Sequence, residues 1–132
     1  MPRRFSITLK VRFYELDAYN HVNNAVYLFY LDHARDEYFT QAMEPYPEMQ
    51  GEAIRYVVAR TEVDFLLPAL ANDVLEIGGE VSQFGRTSLT FDQRIVRPRD
   101  AAEIARARTV LVWTDAERRP VPVPDLVRRA FA

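Results

Sequence analysis

Residues 26–43 read VYLFYLDHARDEYFTQAM, and this stretch decides the fold. Within it Tyr27, Tyr30, Leu31, Ala34, Tyr38 and Ala42 recur at helical spacing. Val26 to Leu31 is apolar on every side, which marks a helix buried over most of its surface rather than laid on the outside. Asn23 and Asn24 stand ahead of it, each with a short side-chain oxygen suited to accept a free first-turn N–H. Pro45 and Pro47 lie beyond its end, where a helix cannot continue.

Working upstream, Phe5, Ile7, Leu9, Val11 and Phe13 alternate with Ser6, Thr8, Lys10, Arg12 and Tyr14, the period-two pattern of a half-buried strand. A polar stretch from Glu15 to Asn24 joins strand to helix. Downstream, strands are expected over residues 55–67, 74–84, 87–97 and 103–114. Pro68, Asn72-Asp73, Gly85 and Pro98-Arg99-Asp100 separate them, all turn chemistry. Long strands joined by short turns predict an antiparallel meander. The tail PVPVPDLVRRAFA should start extended and end in a frayed helical turn. The class is therefore α+β, with a curved antiparallel sheet wrapped around a long central helix. One sheet leaves other helix faces uncovered, so a second subunit is expected, in a homodimer or homotetramer.

A chain of 132 residues has room for one core, hence one domain over residues 1–132. With 48% apolar and 27% charged residues it is not a disordered chain. A net charge of -2 argues against a nucleic-acid partner. The absence of cysteine excludes disulfides, thiolate chemistry and Cys-ligated zinc. No apolar run suits a signal peptide or a membrane span, so a cytoplasmic protein with no membrane insertion is expected. His33 has Asp32 and Asp36 near it, but His21 is far away in sequence, and no recognisable metal site results.

The chemistry centres on Asp17 to Asn24, within the segment Asp17-Ala18-Tyr19-Asn20-His21-Val22-Asn23-Asn24-Ala25-Val26-Tyr27. On spacing alone Asp17 reads as a turn residue bonded to its own backbone. The form D-x-x-x-H-V-N-N-x-x-Y, with Ala34-Arg35 on the following helix, resembles the signature of hot-dog-fold acyl-CoA thioesterases, in particular the 4-hydroxybenzoyl-CoA thioesterase-like group. The similarity runs on through Thr61-Glu62-Val63-Asp64-Phe65, Pro68-Ala69, Asp73, Gly85-Arg86-Thr87-Ser88-Leu89 and Trp113.

That resemblance implies a thioester hydrolase acting on an acyl-CoA, with no metal or redox cofactor. Asp17 would be nucleophile or general base, and the Asn24 N–H at the helix start would hold the oxyanion. Arg86, Thr87 and Ser88 would contact coenzyme A, and Tyr27 would line the substrate site. Two positions depart from related patterns: Tyr19 stands where plant acyl-carrier-protein thioesterases have Asn, and Asn20 where many bacterial relatives have Gly. His21 is then either a base or a neutral residue that fixes the loop, and the missing Asn at position 19 favours the second. The alternatives are a hot-dog hydratase or dehydratase on an enoyl thioester, and a module that binds an acyl thioester without cleaving it.

Overall fold

The computed structural model describes residues 2–132. Five strands form one antiparallel sheet: β1 (Phe5–Lys10), β2 (Tyr56–Phe65), β3 (Val74–Phe84), β4 (Ser88–Arg97) and β5 (Ala102–Trp113). Their order across the sheet is β1-β3-β4-β5-β2. The sheet curves around α1 (Asn24–Met43), while α2 (Gln50–Ala53) and α3 (Asp125–Phe131) complete the chain. This is the α+β arrangement expected from the pattern, and among the described residues no helix is long and apolar enough to cross a membrane.

The helical periodicity of residues 26–43 is explained by one buried stripe. Tyr30, Leu31, Ala34, Tyr38, Phe39 and Ala42 are all within 2% of full burial. They share a core with Leu75, Ile77, Leu89, Phe91 and Leu111 of the sheet. The Phe39 ring packs 4.7 Å from Phe131 and 6.1 Å from Trp113, which joins helix, sheet and tail. Each such buried ring contributes about 1.5–3 kcal/mol by removal from water. Helix and sheet approach closely at Gly79, where a Cβ would lie 2.7 Å from Tyr38 Cε2. The absence of a side chain there lets the Tyr38 hydroxyl reach Ile77 O at 2.7 Å.

Several expectations are corrected. The first strand stops at Lys10 although its alternation continues to Tyr14. Glu15 Oε1 captures the Arg12 N–H at 2.7 Å and bends Phe13–Glu15 into a 3-10 turn, leaving Phe13 84% exposed. The four later strands are not one meander. Only β3, β4 and β5 run consecutively, and β2 pairs with β5 at the far edge. Periodicity reports which face a residue occupies and carries no information about the neighbouring strand. The tail ends in a seven-residue helix whose Val127 and Phe131 are fully buried, so it is packed rather than frayed. The first turns of α1 are buried on the sheet side only: Leu28 and Phe29 remain exposed on a single chain.

Candidate active site

The Asp17–Asn24 segment is a tight loop closed on itself. Leu16 pairs with Val22, and the Asp17 N–H donates to His21 O at 2.8 Å. Asn20 takes a left-handed φ of 60°, a conformation asparagine tolerates better than most residues. The Asp17 side chain shapes this turn: its Oδ1 accepts the N–H of Tyr19 at 2.8 Å and of His21 at 3.2 Å. The turn-residue reading of Asp17 is therefore realised. Only one oxygen is used, since Oδ2 accepts no hydrogen bond among the described residues.

The start of α1 is equally selective. The Asn23 side-chain oxygen accepts the Ala25 N–H at 2.9 Å, and the Val26 N–H returns to Asn23 O at 2.9 Å. The Asn24 N–H donates to nothing among the described residues. One donor at the positive end of a buried helix is thus left open within the loop that carries Asp17.

Tyr27, one turn into α1, is buried and accepts the Ala69 N–H at 3.0 Å through its hydroxyl. Burial pushes its pKa up; the Ala69 N–H opposes this, and the negative charges of Asp17 and Asp73 add to the rise. Tyr27 is therefore a neutral hydroxyl and not a base. His21 joins the network through its main chain, pairing with Leu70, and its imidazole is exposed with no hydrogen bond to a described residue.

Two contributors escaped sequence reasoning. Glu15 is a buried carboxylate that accepts the Tyr30 hydroxyl at 2.8 Å and Arg12 Nη1 at 3.2 Å. Its main-chain oxygen accepts the Asn23 N–H at 2.9 Å, bracing the helix start from the other side. Burial and the bond to Glu15 raise the Tyr30 pKa far above the ordinary range, so Tyr30 stays a donor. Glu15 falls outside any period, and no local signal marks it. The second is Arg128 of α3, described below.

Arg86 and Thr87 lie in the turn between β3 and β4 and Ser88 opens β4; the turn closes by Gly85 N–H donating to Ser88 O at 2.8 Å. A Cβ at Gly85 would collide with Ser88 Oγ. The Arg86 side chain is exposed, and Arg128 donates to the Arg86 carbonyl at 2.9 Å. The structure does not bring this turn to Asp17 within one chain. Asp17 and His21 sit by Leu70, before the start of β3, while Arg86 follows its end. A strand of that length separates them by about 30 Å.

A groove of about 280 Å³ between α1 and β2 is lined by Leu28, Phe29, Leu31, Val58 and Thr61, with Asp32 and Arg35 as its charged members. Leu28 lies one turn beyond Asn24 on the same helix face. At the groove's base, Arg35 is buried and donates to Gln93 Oε1 at 2.9 Å and Thr109 Oγ1 at 3.3 Å. Burial lowers its pKa, against the raising effect of Asp32.

Known proteins share this fold. A thioesterase from Thermus thermophilus, solved with coenzyme A and zinc, superposes with a TM-score of 0.81 at 36% identity, over 96% of this chain and 90% of its own. The long-chain acyl-CoA thioesterase FadM of Escherichia coli is 32% identical over 81% of this chain and 80% of its own length. The chloroplastic acyl-acyl carrier protein thioesterase ATL3 of Arabidopsis thaliana is 30% identical over 99% of this chain and 69% of its own length. Residues 11–131 match the family model for the thioesterase-like superfamily, so nearly the whole hot-dog domain, from the end of β1 to the last turn of α3, belongs to that superfamily.

Proposed function

We propose that this protein hydrolyses acyl-CoA thioesters to the free acid and coenzyme A, using Asp17 and the Asn24 N–H. The observation that carries the reading is that one loop holds both an open helix-start donor and a carboxylate whose second oxygen is free. Thioester cleavage needs both: a group to attack the carbonyl or activate water, and a donor for the charge that develops on the carbonyl oxygen. Asp17 Oδ2 fills the first role in one of two ways. It attacks the carbonyl carbon with release of the thiolate to form an anhydride, which water then hydrolyses to the free acid and Asp17, or it takes a proton from water that itself attacks the carbonyl as the thiolate leaves. The Asn24 N–H fills the second. An acyl chain anchored there runs one helical turn to the groove beside Leu28, Phe29 and Val58.

The partner is a second copy of the chain. β2 is an unpaired sheet edge, and Val57, Val58 and Phe65 are each about half exposed along it. The strand also carries Arg60, Glu62 and Asp64, but its exposed apolar positions and open main-chain edge favour pairing with another strand. A two-fold axis beside β2 reverses strand direction and carries the partner's Arg86–Ser88 turn to the Asp17 end of this chain. Arg86 then meets the phosphates of coenzyme A, which a guanidinium binds through its planar fork. The setting we infer is the cytoplasm, where so highly charged a substrate is met without crossing a bilayer.

A panel of acyl-CoAs assayed by thiol release tests the reading. Enoyl-absorbance change without thiol release would mark a hydratase. A thioester that binds and survives intact would mark a binding module.

A further inference from the structure

The connection from β2 to β3, residues 66–73, is where the sheet meets the Asp17 loop. Val22 N–H donates to Ala69 O at 2.9 Å, His21 pairs with Leu70, and Ala69 N–H donates to the Tyr27 hydroxyl at 3.0 Å. At its start the connection hangs on Ile104 O, which accepts the N–H groups of Leu66 and Leu67. Its far half is held by two buried charged side chains. Asp73 Oδ2 accepts the Leu70 N–H at 2.9 Å and Arg97 Nη1 at 2.8 Å. Arg97 Nη1 also reaches Pro68 O at 3.4 Å, while its Nε and Nη2 grip Asp100 at 3.1 and 3.0 Å. Asp73 and Arg97 are only 7% and 9% exposed.

A buried ion pair is weak support for stability, because apolar residues of similar size often serve as well. What a guanidinium fork supplies is direction. Here that direction is delivered to a single stretch, Pro68 to Leu70, on which both halves of the site depend. The His21 N–H that holds Asp17 Oδ1 belongs to the residue paired with Leu70. Tyr27, bonded to Ala69, is in the first turn of the helix that presents the Asn24 N–H. We propose that Asp73 and Arg97 are positioning residues for hydrolysis, setting the carboxylate of Asp17 against the N–H of Asn24 through residues 68–70. This rests on the reading of Asp17 and Asn24 as the reacting groups. Asp73 and Arg97 are buried and act through residues 68–70. A misplacement of about 1 Å at a reacting centre can cost about a hundredfold in rate.

The test compares Asp73→Ala, Asp73→Asn and Arg97→Met by kcat and KM per folded protein, with folded fraction read from circular dichroism, and by amide exchange mass spectrometry. Asp73→Ala should lower kcat by about ten- to a hundredfold, with KM changed by less than about twofold. Exchange should quicken in peptides covering residues 17–24 and 66–73 and not in β4. Asp73→Asn keeps an oxygen for the Leu70 N–H and should recover most of the loss, which a general loss of stability would not do. Arg97→Met should resemble Asp73→Ala; if it fails to fold, the two Asp73 variants decide. Unchanged kcat in Asp73→Ala, a loss that only tracks unfolding, or unchanged exchange in residues 17–24 would each overturn the proposal. If the wild type releases thiol from no acyl-CoA, the hydrolase reading fails by itself, and the exchange measurement still decides whether this pair holds the loop.

Discussion

The Asn23 side-chain oxygen accepts the N–H of Ala25, not that of Asn24. The cap that stabilises α1 therefore spares the donor proposed for catalysis, and the two roles can be separated. Asn23→Asp keeps a capping oxygen and adds a negative charge that a helix N-terminus favours, so thermal stability should hold or rise. The same charge opposes an oxyanion at the Asn24 N–H, and kcat should fall by about tenfold, a fraction of one lost oxyanion donor. Melting temperature and kcat moving down together would contradict this.

Asp17→Asn should separate from His21→Ala. The asparagine oxygen still accepts the Tyr19 and His21 N–H groups, so the loop stays closed. The reactive oxygen is gone, and kcat should drop by at least about a hundredfold. The His21 imidazole makes no hydrogen bond to a described residue, and His21→Ala retains the main-chain pairing. It should cost much less. A dead His21→Ala beside a near-normal Asp17→Asn would make the mechanism wrong.

Arg86→Ala should raise KM with little change in kcat, because a phosphate contact far from the thioester stabilises ground and transition states alike. The effect should shrink at high salt as the exposed charge is screened. Steady-state kinetics at two ionic strengths measure it, and a pure kcat loss would assign Arg86 another role.

Val58→Lys should convert the wild-type oligomer toward monomer. It places a charge at an exposed apolar position of the edge strand, the device natural sheets use to prevent pairing. Sedimentation at micromolar concentration reads the outcome. A wild-type protein that sediments only as a 15.4 kDa species would refute the dimer and, with it, the shared site.

Asp73 predicts an acid limb of stability. Burial works to raise its pKa, but the Leu70 N–H and the Arg97 and Arg99 guanidiniums overcome this and hold it below the ordinary 3.8. A carboxyl depressed in the folded state contributes stability that is present above its unfolded value and lost as pH falls through the folded one. Urea unfolding should therefore weaken from about pH 4 downward, and Asp73→Asn should flatten that slope. An equal slope in wild type and variant would refute the assignment.

The strands and α1 were legible because side-chain periodicity reflects which face of an element is buried, and the stripe Tyr30, Leu31, Ala34, Tyr38 carries that record locally. The cap at Asn23 and the turn chemistry of Asp17 are also local, made between residues two to four apart. These the sequence determined by itself. The tertiary structure decided what depends on distant partners. It sent β2 to the edge beside β5, because strand adjacency depends on packing across the whole sheet. It ended β1 early because Glu15 competes for the Arg12 N–H, and drew α3 into the core through Phe131. It also joined Asp73 to Arg97 across 24 positions of chain, a contact that no periodic pattern announces.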